Sequence, residues 1–310
     1  MSIKPWAIAV NKPAGLSSYD VIREFKRNLP REQLKKIGHL GTLDPFASGL
    51  MLVTACGGSR IQDYSHKFLY KTYIATGKFG EKTDTADCEG QVTETSSIQN
   101  LNSIDWENQF RDFKRKFFNN YLQRIPSFSA TKHEGKKLYE LARQGVKIEK
   151  PPVQRFLSQL DFLEFEGDRI RFVVTCSGGT YIRQLFEDMC EELEVVGHLT
   201  ALERTKIGNI SSENAIELAD IKEKSFLELS QTQLMDILPI QTVSFDEGQV
   251  KRLKNGQEAI GTKQAKLETP FLCWFRELAW SVDKKGELLG LVQESQCGTK
   301  FSPKVNFVIN

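Results

Sequence analysis

Apolar positions along this chain recur at two spacings, every second residue and every third or fourth, and the switches between them describe a mixed α and β protein. "WAIAV" at 6–10 reads as a short buried strand, and the turn-rich "NKPAG" at 11–15 ends it. In "SSYDVIREFKRNL", Ser17 and Asp20 have capping-box spacing, and Val21, Ile22 and Phe25 fall on one helical face. The pattern then breaks: Gly38, Gly41, Pro45 and Gly49 describe a shaped loop that is neither regular helix nor strand. "LMLVTA" at 50–55 predicts a buried strand, "SRIQDYSHKF" a short helix, and "KTYIATGKFG" an alternating strand rich in β-formers. "TDTADCEGQV" is polar and turn-like.

"IDWENQFRDFKRKF" spaces Trp106, Phe110, Phe113 and Phe117 as one helical face, and "GKKLYELARQG" predicts a helix ending at Gly145. Between them, "NNYLQRIPSFSATKHE" is irregular, basic and partly aromatic, and predicts a flexible insert over about 119–151. Residues 153–176 read as two long strands joined around "EGDR", and "GGTYIRQLFEDMCEEL" starts a helix from a glycine pair. After Pro239 come short strands and turns, "NGQEAIG", "LCWF", "LAWSVDKKGELLGLVQES" and "NFVIN". The expectation is an α+β unit with a mixed, mainly antiparallel sheet over 1–238, followed by a small all-β domain over 239–310.

The bulk composition narrows the class. Hydrophobic residues at 40% and charged residues at 26% are ordinary for a globular chain with a core. "LMLVTAC" is far too short to span a bilayer, and the N-terminus lacks the apolar core of a signal peptide, so a cytoplasmic protein is expected. Six cysteines without a Cys-x-x-Cys pair, beside four histidines, offer no zinc-ligand spacing; reduced thiols and no metal are expected. A net charge of +2 says nothing about nucleic acid, but its distribution is uneven. Residues 23–36 hold six Arg/Lys against two Glu, and residues 111–137 hold eight against Asp112 and Glu134. "EDMCEELE" at 187–194 reads as a solvated acidic helix face turned away from any polyanion.

The loop over 38–49 holds the candidate chemistry. A lone Asp before Pro is commonly a turn residue or a cap. Here His39, Thr42 and Asp44 crowd into six residues, basic blocks bracket them, and Arg183 stands near the start of a helix in "GGTYIR". An aspartate nucleophile must stay ionised and be held still, and an arginine partner does both. Phosphoaspartate chemistry would want a second carboxylate beside Asp44, and "PFASG" supplies none. Asp84, Asp87 and Glu89 do not have EF-hand spacing and read as a turn.

"GHLGTLDPFASG" resembles the signature of the TruB family of pseudouridine synthases, whose bacterial members isomerise uridine 55 in the T-loop of transfer RNA. "NKPAGLSSYDVI", "YKTYIATGKFGEKTDTADCEG", "IPSFSATKHEGKKLYELARQG" and "CSGGTYIRQLFEDM" match in the same order, so the resemblance runs over about residues 6–205. The tail is similar, more weakly, to a PUA-type RNA-binding domain through "NGQ" and "GELLGLV". What the resemblance implies is specific. Asp44 would be the catalytic aspartate and Arg183 its partner; Tyr73 would stack on the target base and assist proton removal. His39 would hold the target loop open, and Tyr181 and Leu202 would line the base pocket. Lys132, Lys136 and Lys137 would grip phosphates of the T-arm from the insert. The family usually shows two prolines where "IPSFSATK" has Pro126 followed by Ser127, which leaves the insert's RNA contacts open. No cofactor, guide RNA or obligatory protein partner is implied, and a monomer is expected. Two other readings remain: the catalytic subunit of a guide-RNA particle, whose eukaryotic members carry lysine-rich tails where this sequence ends at Asn310, and an RNA chaperone acting on the tRNA elbow.

Overall fold

The computed structural model describes residues 5–146, 148–222, 230–238, 240–264, 278–295 and 300–306. Seven strands form the path of a nine-stranded sheet, in the order Leu157–Glu166, Arg169–Cys176, Lys71–Phe79, Gly197–Ile207, Ser48–Ala55, Trp6–Lys12 and Ile216–Glu217. Along that path only the Ser48–Ala55/Gly197–Ile207 and Trp6–Lys12/Ile216–Glu217 pairings are parallel. The mixed, mainly antiparallel sheet is therefore as the alternation predicts.

Burial alternates residue by residue along Lys71–Phe79, as a strand with one covered face requires. Two helices cover that face. Trp106–Asn120 begins at the Asp105 cap, whose side chain accepts from the Asn108 amide, and buries Trp106, Phe110, Phe113 and Phe117. Each such burial contributes roughly 1.5–3 kcal/mol. Ile182–Glu192 presses Phe186 onto the sheet at Gly77, where a Cβ would stand 2.1 Å from the ring. Against the strands Trp6–Lys12 and Ser48–Ala55, Ser18–Asn28 starts with the expected Ser17/Asp20 capping box and buries Val21, Ile22 and Phe25 on Ile8, Val10, Met51 and Val53.

The second sheet has six strands, ordered Ala259–Ile260, Lys300–Asn306, Leu288–Glu294, Leu278–Asp283, Gln241–Phe245 and Thr262–Gln264. It fits the PUA-like expectation, with one addition to an all-β tail. Asp246 caps an eight-residue helix, Glu247–Lys254, whose Leu253 and Val250 pack on Val292 and Phe301. Its apolar positions are few, which is why a strand-and-turn reading passed over it. "LCWF" at 272–275, Cys273, Cys297, Pro239 and the last four residues of "NFVIN" lie outside the described residues. The two sheets share an apolar cluster in which Ala7, Ala9, Leu50 and Leu52 meet Leu234, Leu238, Trp280 and Leu291, and Trp280 donates its indole N–H to Leu238 O at 2.9 Å.

Three further local expectations change. Gly38–His39 is not loop but a two-residue strand paired with Val53 and Thr54, and Gly49 lies inside a strand at φ +97°. Arg204 O would sit 2.4 Å from a Cβ on Gly49, so the close parallel pairing there needs glycine. The acidic stretch 187–194 is not simply solvated. Asp188 accepts from the Tyr121 hydroxyl, Gln184 and Arg124, and Glu187 pairs with Lys82, so these carboxylates tie the insert and the neighbouring strand to the helix. Cys56, Cys88, Cys176 and Cys190 are free thiols. Among the described residues no helix is long and apolar enough to cross a membrane.

Candidate active site

The loop between His39 and Ser48 is held from both sides. Lys12, 1% exposed, reaches across from "NKPAG" and donates to Pro13 O, Leu16 O and Pro45 O. Gly15 N–H donates to Pro45 O at 2.8 Å, and the Ser18 hydroxyl both donates to Leu43 O and accepts from Leu43 N–H. From the far side comes Arg204, with no exposed surface. It donates through Nε to Leu50 O at 2.7 Å, through Nη1 to Thr42 O at 3.3 Å and through Nη2 to Gly41 O at 3.1 Å. Leu43, Phe46 and Ala47 then anchor the loop in the apolar cluster that contains Tyr73, Leu202 and Ile182. Asp44 is left as the loop's projecting polar group, its side chain 35% exposed.

Arg183, the second residue of its helix and 3% exposed, donates from Nε to Asp44 Oδ2 at 2.8 Å. The same guanidinium donates to Thr85 O and, at 3.0 Å, to Phe128 O of the insert. Asp87, its side chain 6% exposed, stands with Oδ2 3.6 Å from the same Arg183 Nε. One cation thus sits between two carboxylates and joins three segments distant in sequence. Burial opposes the charge on Arg183, but Asp44 and Asp87 outweigh that and its pKa is raised. Asp87 is delivered by its own turn: its Oδ1 accepts from the Thr85 hydroxyl at 2.6 Å and from the Glu89 amide at 3.0 Å.

Tyr73 lies on the inward face of its strand, with Arg204 directly opposite in the pairing. Burial lifts its phenol to about 12, so at neutral pH it is a protonated ring, suited to stacking. Leu202 shares that wall, one strand over. Tyr181 is pinned by Gln123, whose side chain accepts from its amide and donates to its carbonyl, each at 2.9 Å, and its hydroxyl meets Thr131 Oγ1 at 3.1 Å. His39 is mostly enclosed. Burial, then Arg204 and Lys137, hold its pKa down, so the ring is neutral, and its Nδ1 is buried with no partner among the described residues. Lys71 is also enclosed under the loop at 4% exposure, its pKa lowered by burial and by Arg204 to about 8.

Asp44, Arg183, Tyr73, Leu202 and Tyr181 therefore converge, with His39 at the loop's start. Lys132 and Lys136 do not reach this centre; with Lys137 they form a tight two-strand hairpin, Lys132–His133 against Lys136–Lys137. Lys137 stands 5.4 Å over the Tyr139 ring. Half of the basic block at 111–137 is spent on ion pairs, Lys114–Asp161, Arg115–Asp112, Lys116–Glu192 and Arg124 with Asp188 and Glu191. Among the described residues Arg111, Lys132, Lys136 and Lys137 have no carboxylate partner; Arg111 donates to Asn108 Oδ1 at 2.7 Å, which leaves the three lysines available to a polyanion. In the 23–36 block, Arg23 and Arg27 pair with Asp20 and Glu24 of their own helix. Arg204, Lys71 and Lys12 carry no role in the sequence reading, and Asp87 only that of a turn residue.

Residues 26–182 match the N-terminal domain of the TruB family of pseudouridylate synthases. This chain belongs to that family. Among its curated relatives, the tRNA pseudouridine synthase B of Corynebacterium diphtheriae is 34% identical over 292 residues, 93% of this chain and 91% of that protein. The enzyme of the same name from Psychrobacter arcticus is 37% identical over 234 residues, 74% of this chain, and the match spans 60% of the relative's own length. The identities place this TruB chain with the bacterial type. Its fold is also similar to the solved "Cbf5-Nop10-Gar1 Complex" (TM-score 0.69, 22% identity, 99% of this chain and 86% of that one). A structure of an H/ACA RNP bound to a substrate RNA is comparably similar, with TM-score 0.67, 21% identity and coverage of 98% and 85%.

Proposed function

We propose that this TruB-family chain isomerises uridine to pseudouridine at position 55 in the T-loop of tRNA, as a stand-alone cytoplasmic enzyme with Asp44 as nucleophile and without guide RNA. The observation that carries the reading is the Asp44–Arg183 contact at 2.8 Å, in a chain whose relatives are named tRNA pseudouridine synthase B. One oxygen of Asp44 is fixed by Arg183 while the carboxylate remains partly open to a substrate.

A uridine in a folded loop has to leave its stack before its ring or C1′ can be reached. Tyr73, Leu202 and Tyr181 offer the extruded base an apolar wall, and stacking is worth about 1–3 kcal/mol per base. A neutral His39 at the loop's start suits contact with a base or sugar in the opened loop better than pairing with a phosphate. In the isomerisation the C1′–N1 bond breaks, a C1′–C5 bond forms, the C5 proton leaves for solvent, and the freed N1 takes up a proton from solvent. Asp44 would act by attack at C6, by attack at C1′, or by promoting a glycal; the three share the same residues. The unpaired lysines of the 132–137 hairpin would hold T-arm phosphates, and the six-stranded PUA-like sheet, as a separate domain from about residue 239, would add RNA contacts.

The test is tritium release from an unmodified tRNA transcript labelled at uridine C5, with purified protein and no guide RNA, followed by mapping of the product. Release at the T-loop uridine that is lost in Asp44→Asn is expected. Release only on addition of a guide RNA, or tight binding with no release at all, would refute the stand-alone enzyme in favour of the guide-dependent or the chaperone reading.

A further inference from the structure

A second cluster lies beside the Asp44 centre, at the glycine pair that precedes the helix Ile182–Glu192. Gly178 abuts the backbone of His66 so closely that a Cβ there would stand 1.8 Å from His66 O. Gly179, at φ +82°, is bare on the side where two side chains arrive: a Cβ would meet Arg155 Nη2 and His66 Nε2, each at 3.2 Å. An arginine from the insert's return strand, Val153–Arg155, and a histidine from the helix Gln62–Phe68 thus aim nitrogen donors at one α-carbon.

Neither donor is spent. Among the described residues Arg155 pairs with no carboxylate, its one hydrogen bond is a long one from Nη1 to Gly178 O at 3.5 Å, and its Nε is buried with no acceptor. His66 has no hydrogen-bond partner among those residues and is exposed. The residue is open to water as a whole but its ring is partly withdrawn toward Gly179, and this partial desolvation first, then Lys71 and Arg155, depress the His66 pKa, with Asp63 of its own helix the one carboxylate acting against them. A half-buried guanidinium without an acceptor is costly by itself, and an arriving anion would remove that cost. The gap over Gly179 is where it would sit, since any side chain there would occupy it.

We propose that Arg155 and His66 form a seat for one backbone phosphate of the RNA, next to the nucleotide taken into the Asp44 pocket. Gly179 stands two residues before Tyr181 and four before Arg183, so a single stretch of chain carries the seat, the pocket tyrosine and the partner of the nucleophile. The inference rests on the reading of this chain as a tRNA-modifying enzyme. The phosphodiester is a better match than a free phosphate ion, because the seat is open on the His66 side and Gly179 stands only two residues from Tyr181, which would line the place of the base.

The test is filter binding of an unmodified tRNA transcript across a salt series, with wild type, Arg155→Met and His66→Ala, each checked by thermal melting. Losing one phosphate contact lowers the slope of log K against log salt by about 0.7–0.9, and the Kd is expected to rise about tenfold in Arg155→Met. T-arm stem-loops carrying one neutral methylphosphonate at a time then locate the contact: at one position the penalty of Arg155→Met should vanish. Competition by inorganic phosphate alone, abolished by either substitution and with no methylphosphonate effect, would overturn the phosphodiester assignment. Unchanged slopes in both variants would overturn the seat; should Arg155→Met melt early, His66→Ala and the methylphosphonate series decide. A wild type that releases no tritium but keeps an Arg155-dependent slope refutes the proposed reaction and leaves the seat standing; tritium release with unaltered slopes does the reverse.

Discussion

Arg183→Lys separates charge from geometry at the centre of the site. The native guanidinium makes three contacts that diverge in direction, to Asp44 Oδ2, Thr85 O and Phe128 O, while facing Asp87 at 3.6 Å. A lysine keeps the positive charge between the two carboxylates but cannot present a fork, so at least two of the three acceptors lose a charged donor. Such bonds are worth about 1.5–3 kcal/mol each. Because Asp44 is partly exposed, water recovers some of that, and the net loss in the positioned site is about 3 kcal/mol. At 1.36 kcal/mol per decade this corresponds to a fall of about a hundredfold in rate. The assay is single-turnover tritium release with enzyme in excess, so that binding does not limit it. Arg183→Met serves as the comparison. It leaves Asp87 buried without its cation, which costs about 3–5 kcal/mol and should lower the melting temperature clearly. A lysine variant that reacts within threefold of wild type would refute the reasoning: the fork would then not be what positions Asp44.

The remaining predictions use other parts of the site. Asp44→Asn should abolish isomerisation while tRNA binding stays within about tenfold, or ~1.4 kcal/mol; gel-shift and tritium release read the two separately, and joint loss would make Asp44 structural. Lys71→Met should stabilise the fold at pH 7, as followed by urea unfolding. The folded lysine releases its proton at about 8 and the unfolded one near 10.5, so between those values unfolding takes up a proton and wild-type stability rises with pH. The advantage of Lys71→Met, at most about 3 kcal/mol, should therefore be full below pH 8 and shrink toward pH 10; a gain that does not change with pH would contradict burial as its cause. Gly49→Ala places a side chain at φ +97° and 2.4 Å from Arg204 O, and a loss of 3 kcal/mol or more, about the upper range for single substitutions, should appear as poor soluble yield or early melting.

Periodicity recovered the elements whose cause is local. The inward positions of Lys71–Phe79, the aromatic face of Trp106–Asn120 and the Ser17/Asp20 box are all set by neighbours a few residues away. Contacts between distant segments were a different matter. Asp44 and Arg183 are 139 residues apart, and spacing alone offered Asp44 as a turn residue; family resemblance joined the two. The acidic stretch at 187–194 was misread for the same reason, since its partners Tyr121, Arg124 and Lys82 come from other elements. Yet a local signal for part of the site was present. In "KTYIATGKF", Lys71 occupies the same alternating phase as Tyr73, Ala75 and Phe79, and in "HLTALERTKI" Arg204 follows Leu202 at strand spacing. A cation in the buried phase of a strand must either neutralise or be given acceptors, and Arg204 finds three backbone carbonyls in and beside the loop that presents Asp44. Asp87 carried no such mark, because its reading as a turn residue is correct as far as it goes: Oδ1 closes the turn, and closing it aims Oδ2 at Arg183. The structural role of that aspartate is thus the means by which it reaches the site, and local sequence shows the first without the second.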